Sequence, residues 1–179
     1  MQQPVIHAGQ FELRPFTLGD APRVKALVNN PRVSQMTANI PYPYTNDMAE
    51  EWISLHPRQW QTGTDAIFAI VNQHNRQLLG AVSLIEIERR QAQIGYWLGE
   101  KHWGKGIATQ ACQTLCRFAF SSLGLHRLQG RHLRCNPASG RVLQKTGFCF
   151  AGSEFIQTGL RQRKEWLDLY FLQLADLKT

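Results

Sequence analysis

The run Ala92-Gln93-Ile94-Gly95-Tyr96-Trp97-Leu98 is rich in strand formers. It passes through Gly99-Glu100-Lys101-His102-Trp103-Gly104-Lys105-Gly106 into a helix-spaced apolar series at Ile107, Ala111, Leu115 and Phe118. No other segment limits the possible folds so sharply. Glycines at Gly104 and Gly106 let the backbone approach a ligand closely, and the unpaired N–H groups of the first helical turn then point at it. The expected guest is an anion.

Two common nucleotide loops fail against this turn. Gly99 to Lys105 fits the spacing of the hydrolase phosphate loop, but the hydroxyl residue that should follow and hold magnesium is Gly106. No later apolar strand ending in Asp supplies the second metal contact. The dinucleotide fingerprint fails too, because its third glycine falls at Thr109 or Ile107. A diphosphate held without metal is what remains.

Around this junction the apolar pattern gives a mixed order of elements. A strand is expected near 10–16, then a helix opened by Pro22 that runs through Val24, Leu27 and Val28 to Asn29-Asn30. Pro31, Pro41 and Pro43 punctuate the next stretch, and Thr45 or Asn46 can cap a second helix containing Ala49, Trp52 and Ile53. The apolar runs 66–71 and 78–85 read as a hairpin, and the strand 92–98 follows as a third member. Then come a helix over 106–124, a strand over 127–135, a helix near 138–146 and strands around 148–158 and 164–174. Such an order implies an α/β protein with a mixed sheet.

With 179 residues, 43% of them hydrophobic, the chain fits one domain spanning 1–179. Its formal charge of +7 suits an acidic partner or a phosphate-bearing cofactor. The four cysteines, Cys112, Cys116, Cys135 and Cys149, lack paired metal spacing and read as small buried residues, so no metal is expected. The first residues carry neither a basic start nor an apolar run, and no stretch is long and apolar enough for a bilayer. A soluble cytoplasmic protein, monomer or homodimer, is the expectation.

Trp103-Gly104-Lys105-Gly106-Ile107-Ala108 resembles the coenzyme A pyrophosphate loop of the GNAT acetyltransferases, whose signature is Arg or Gln, two residues, Gly, one residue, Gly or Ala. The segment from Asn136-Pro137-Ala138-Ser139 to Lys145-Thr146-Gly147-Phe148 resembles the Asn-x-x-Ser to Lys-x-Gly-Phe segment of the RimJ/RimL-like branch. With Glu12-Leu13-Arg14-Pro15-Phe16 and Ile94 to Leu98, the likeness runs in order through almost the whole chain. It implies the GNAT fold, in the order β-α-α-β-β-β-α-β-α-β-β. In that fold a mostly antiparallel sheet is splayed between two parallel strands, here 92–99 and 127–135, and the gap takes the pantetheine arm.

The resemblance also implies roles. Backbone groups from Trp103 through Gly104, Lys105, Gly106, Ile107 and Ala108 to Thr109 would cradle the diphosphate of acetyl-CoA, with Trp103 standing where the family has Arg or Gln. Main-chain groups of Trp97 and Leu98 would pair with pantetheine. Ser139 would serve the departing sulfur, against a plain helix-capping role, and Asn136 would hold the pantetheine amides or cap the same helix. Gln93 stands where many relatives have Glu and cannot take a proton, so it would orient the amine, while Glu86, sharing a face with Glu88 by alternation, would relay the proton through water, with Glu154 a further candidate. Tyr42, Tyr44 and Trp52 would wall the acceptor pocket, with Glu50, Glu51 and Asp168 as partners for a cation.

The activity implied is acetyl transfer to a primary amine by direct attack in a ternary complex. The acceptor would be a protein N-terminus, ribosomal ones included, or a small amine, since relatives acetylate polyamines, antibiotics and amino acids. Two rival readings exist: a degenerate coenzyme sensor, suggested by Gln93, and a non-enzymatic RNA- or ribosome-binding module. The clusters Arg127-Arg131-Arg134 and Arg161-Arg163-Lys164 motivate the module. Nucleic acid is otherwise expected only through a ribosomal substrate. His126 and His132 read as surface or edge residues.

Overall fold

The computed structural model describes residues 2–176. An N-terminal hairpin, β1 (Ile6–Ala8) and β2 (Phe11–Arg14), leads to α1 (Ala21–Val28), α2 (Pro31–Gln35) and α3 (Asn46–Thr62). The meander β3 (Ala66–Asn72), β4 (Leu78–Glu88) and β5 (Gln91–Leu98) ends at the glycine turn. After it come α4 (Ile107–Ser121), β6 (Arg127–Leu133), α5 (Pro137–Thr146), β7 (Cys149–Ile156) and β8 (Glu165–Gln173).

The eight strands form one sheet in the order β1-β2-β3-β4-β5-β6-β8-β7. Two expectations are corrected here. The first strand is a hairpin of two, and the stretch after Pro31 is a short helix. Pro31 opens that helix rather than breaking it, because a first-turn residue needs no N–H donor and Asn30 caps Arg32 N–H at 2.9 Å.

Strand β3 explains the layering. Its run is almost uniformly apolar because both faces are covered: Ala66, Phe68 and Ile70 join one core, while Ile67, Ala69 and Val71 join another. The first core packs under α4 through Ile107, Ala111, Cys112, Leu115 and Cys116. On the opposite face the second lies beneath α1, α2 and α3, through Val24, Leu27, Val28, Val33, Ala49 and Ile53. Thr45 caps α3 by accepting from Met48 N–H.

All strand pairs are antiparallel except β5 with β6, which run parallel and pair only over Gln91–Gln93 against Arg127–Gln129. Beyond Gln93 the two strands separate. The backbone edge of β5 from Ile94 to Leu98 therefore faces an opening in the middle of the sheet, with α4 and α5 on one side and α1–α3 on the other.

Candidate active site

At the end of β5 the chain makes a 3-10 turn, Glu100–His102, and then enters α4 through Gly104 (φ 72°) and Gly106 (φ 75°). Both glycines sit in the left-handed region, which side chains disfavour. A Cβ at either would meet nothing within 4 Å, so the turn presents bare backbone to open space. The N–H groups of Ile107, Ala108 and Thr109 precede the first intrahelical bond, from Gln110 N–H to the Gly106 carbonyl, and no side chain caps them. Lys105 is exposed beside them.

Trp103 does not face that space. Its indole N–H donates to the Leu98 carbonyl at 2.9 Å, and its ring packs against both cores. Arg32 lies over the ring at 5.8 Å and also pairs with Glu100. A residue expected to touch phosphate through its backbone thus also fastens the turn to the end of β5.

The opening between β5 and β6 continues into a cleft of about 340 Å³. Its walls include Tyr44, Trp52, Trp97, Gln93 and Ser139, which the structure brings together. Trp52 and Trp97 stand with ring centroids 6.3 Å apart. A loop over 36–40 roofs part of the cleft, and the β7–β8 loop clasps it, with Leu160 N–H donating to the Ala38 carbonyl at 2.8 Å.

Other expected residues lie elsewhere. Glu86 is exposed, outside the cleft, in a bulge where the β4–β5 register shifts between Ile85 and Glu88. Its φ of 54° shows that the simple alternation with Glu88 is broken there. Tyr42, Glu50, Glu51 and Glu154 are exposed and line no part of the cleft, and Asp168 is engaged by Arg134 at 3.0 Å and Ser153 at 2.7 Å. Among the described residues, therefore, no carboxylate lines the cleft.

Two residues acquire roles that their sequence context concealed. Tyr96 points from β5 toward α5, where its hydroxyl donates to the Ser139 carbonyl at 2.9 Å and lies 2.8 Å from Ser139 Oγ. Burial raises the Tyr96 pKa well above the phenol range, so it keeps its proton. Period-two alternation could have located it, since Tyr96 shares a face with Ala92 and Ile94. His132 is buried under α5, against the expectation of a surface residue, with Nδ1 2.7 Å from the Leu133 carbonyl and Nε2 3.5 Å from the Tyr170 hydroxyl. The carbonyl contact places the proton on Nδ1. Gly140 makes the room, because a Cβ there would stand 2.6 Å from Nε2.

Asn136 caps α5 by accepting from Ser139 N–H at 3.2 Å, while its amide donates to the Met36 carbonyl at 3.2 Å. Its side chain thus ties α5 to the loop after α2. Among the described residues no group of three or more metal-ligating side chains occurs.

The sequence pattern of the acetyltransferase (GNAT) domain matches residues 10–149, most of the chain. The chain belongs to that family. A probable N-acetyltransferase of Bacillus subtilis, YjcK, is 35% identical over 108 residues, covering 59% of this chain and 60% of that protein. The ribosomal-protein-serine acetyltransferase of Escherichia coli is 35% identical over 102 residues, 54% of this chain and 56% of that one. Among solved structures, a RimL ribosomal L7/L12 α-N-protein acetyltransferase in complex with coenzyme A superposes with a TM-score of 0.87 at 22% identity, covering 97% of this chain and 99% of that one. The protein is thus an acyltransferase of the GNAT type, using acetyl-CoA.

Within this GNAT domain the cysteines divide into two pairs. Cys112 and Cys116 are buried in α4, and burial pushes their thiols up, that of Cys116 to about 12. Neither is a nucleophile at neutral pH. Cys135 and Cys149 are exposed, which corrects the expectation that all four are buried.

Proposed function

We propose that the protein transfers the acetyl group of acetyl-CoA to the primary amine of an acceptor, a protein N-terminus or a small amine, by direct attack in a ternary complex. The observation that carries this reading is the opening between β5 and β6. It joins the bare N-terminus of α4 and the Ser139–Tyr96 pair on one side to a cleft walled by Tyr44, Trp52, Trp97 and Gln93 on the other.

The residues present fit the donor. The open glycine positions and the uncapped N–H groups of Ile107, Ala108 and Thr109 would take its diphosphate, with Lys105 adding charge. The edge of β5 at Trp97 and Leu98 would pair with its amide-bearing arm, although the Leu98 carbonyl already accepts from Trp103. When bound, acetyl-CoA supplies an activated thioester.

Gln93 accepts a hydrogen bond from the incoming amine and orients it, but has no capacity to take its proton. With no carboxylate among the described residues that line the cleft, water carries that proton away. As the C–N bond forms and the C–S bond breaks, Ser139 Oγ donates a hydrogen bond toward the sulfur while Tyr96 holds Ser139 in place. A neutral amine needs no stronger base. The two exposed, unpaired cysteines accord with a reducing compartment, the cytoplasm.

At least three of the six residues in the basic clusters are already engaged, which counts against an RNA-binding module. Arg127 stacks on Phe171, Arg134 pairs with Asp168, and Arg161 pairs with Glu165. Calorimetric titration with acetyl-CoA, followed by thiol-release assays on amines and N-terminal peptides, tests the reading. Saturable binding and acceptor-dependent thiol release are expected, and absence of acetyl-CoA binding would sink it.

A further inference from the structure

Resting on that reading, we infer that the acceptor is an amine bearing a carboxylate close to the reacting nitrogen, and that Arg131 is the residue that selects it. The cleft has a one-sided charge. Among the described residues its lining includes Arg131 and no Asp or Glu, the acidic groups a polycationic acceptor would need. Glu50, Glu51 and Asp168 could have supplied them, but two are exposed outside the cleft and the third is bound to Arg134 and Ser153.

Arg131 is placed to meet an acceptor. It lies on β6 two residues past Gln129, the last residue paired with β5, where it is opposite Gln93. Alternation puts Gln93, Gly95 and Trp97 on the same face as Gln129, Arg131 and Leu133, the face toward α1–α3. Arg131 is displaced from Gln93 by two residues, about 7 Å, along the strand direction and by at least one interstrand spacing, about 5 Å, across it, a gap that the two side chains and a small amine bearing a carboxylate would span together.

The guanidinium is also uncommitted. Among the described residues it makes no ion pair, hydrogen bond or aromatic contact, unlike Arg127, Arg134 and Arg161. It is half-buried, so water screens it less than a surface cation. A planar fork of donors in this position matches a carboxylate and repels a second ammonium group. Free amino acids and acidic N-terminal peptides share this chemistry.

The test compares acceptors in matched pairs at saturating acetyl-CoA: glutamate against its diamide, and the tripeptide amide Asp-Ser-Ala against Asn-Ser-Ala, with spermidine beside them. Each acidic member is expected to exceed its neutral partner by about ten- to a hundred-fold in kcat/KM, mostly through KM, with spermidine poor. Arg131→Met should bring that ratio close to one and Arg131→Lys should restore part of it, with acetyl-CoA affinity unchanged in both as the check on folding. A preference confined to the peptides assigns the carboxylate to a protein N-terminus, and one shared by glutamate assigns it to a free amino acid. Equal turnover of acidic and neutral members, preference for spermidine, or an unaltered ratio in Arg131→Met overturns the inference while leaving the acetyltransferase reading standing. Failure of acetyl-CoA to bind overturns that reading instead.

Discussion

Tyr96 and Ser139 share two short contacts but have only two hydroxyl protons between them. With the phenol donating to the Ser139 carbonyl, Ser139 Oγ is left to donate either to the phenol oxygen or to a ligand. Because burial, with Cys112 nearby, raises the phenol pKa, Tyr96 acts as a support and not as a proton source. Tyr96→Phe should therefore lower kcat about fivefold, and Ser139→Ala by ten- to a hundred-fold, with little change in acetyl-CoA affinity. The double variant should be no worse than Ser139→Ala alone, since the two act as a unit. Steady-state kinetics with titration of acetyl-CoA checks this, and fully additive losses would show that Tyr96 acts independently. Ser139 was legible because it sits in a recognisable run. Tyr96 and Arg131 were not: a strand-forming tyrosine and one arginine among several carry no signal until the sheet gives them a face. Glu86 misled because alternation holds only while a strand is regular, and the bulge before Glu88 ends it.

At the scale of elements, the strong patterns were legible and the short pieces were not. The β3–β5 meander, α4, β6, α5 and the last hairpin all stand within a few residues of the expected spans; for β3, β4 and α4 the reason is an apolar period that extends over a buried face, whereas β7 has no buried residue and rests on its pairing with β8. Three-residue β1 and five-residue α2 have too little period to read, and their existence rests on pairing with β2 and on the Asn30 cap. The glycine turn was legible in identity but not in the reason for its glycines. The space beside Gly104 and Gly106 is empty, so their requirement is φ and not close packing. Gly106→Ala should thus cost about 1 kcal/mol of folding stability from the left-handed conformation alone. It should also weaken acetyl-CoA binding several-fold by shifting the N–H groups it precedes. Denaturant titration and calorimetry measure the two losses separately. Unchanged coenzyme affinity would mean that the diphosphate does not rest on this turn.

The two cores meet the solvent very differently in acid, and the difference lies at His56. It is 4% exposed within the α1–α3 layer, edge-on to Trp52 at 4.5 Å and to Phe16 at 5.4 Å, and neither ring nitrogen has a hydrogen-bond partner. Burial lowers its pKa from 6.5 to about 4. Because the folded-state value is depressed, the unfolded chain binds the proton first as pH falls. Its share of stability is complete above 6.5 and is lost progressively between 6.5 and about 4. Between pH 7 and 4.5 that loss amounts to about 2 kcal/mol. His102 acts in the same direction, through burial and the nearby Arg23, Lys105 and Lys101. It is more exposed and contributes less. Because Trp52 both packs on His56 and lines the cleft proposed for the acceptor, protonation would loosen that wall before it disturbs the α4 layer, which carries the turn proposed for the donor. Denaturant unfolding at pH 7 and 4.5 should show His56→Leu losing less stability over this interval than the unaltered chain. An identical loss in both would place the acid-sensitive group elsewhere in the molecule.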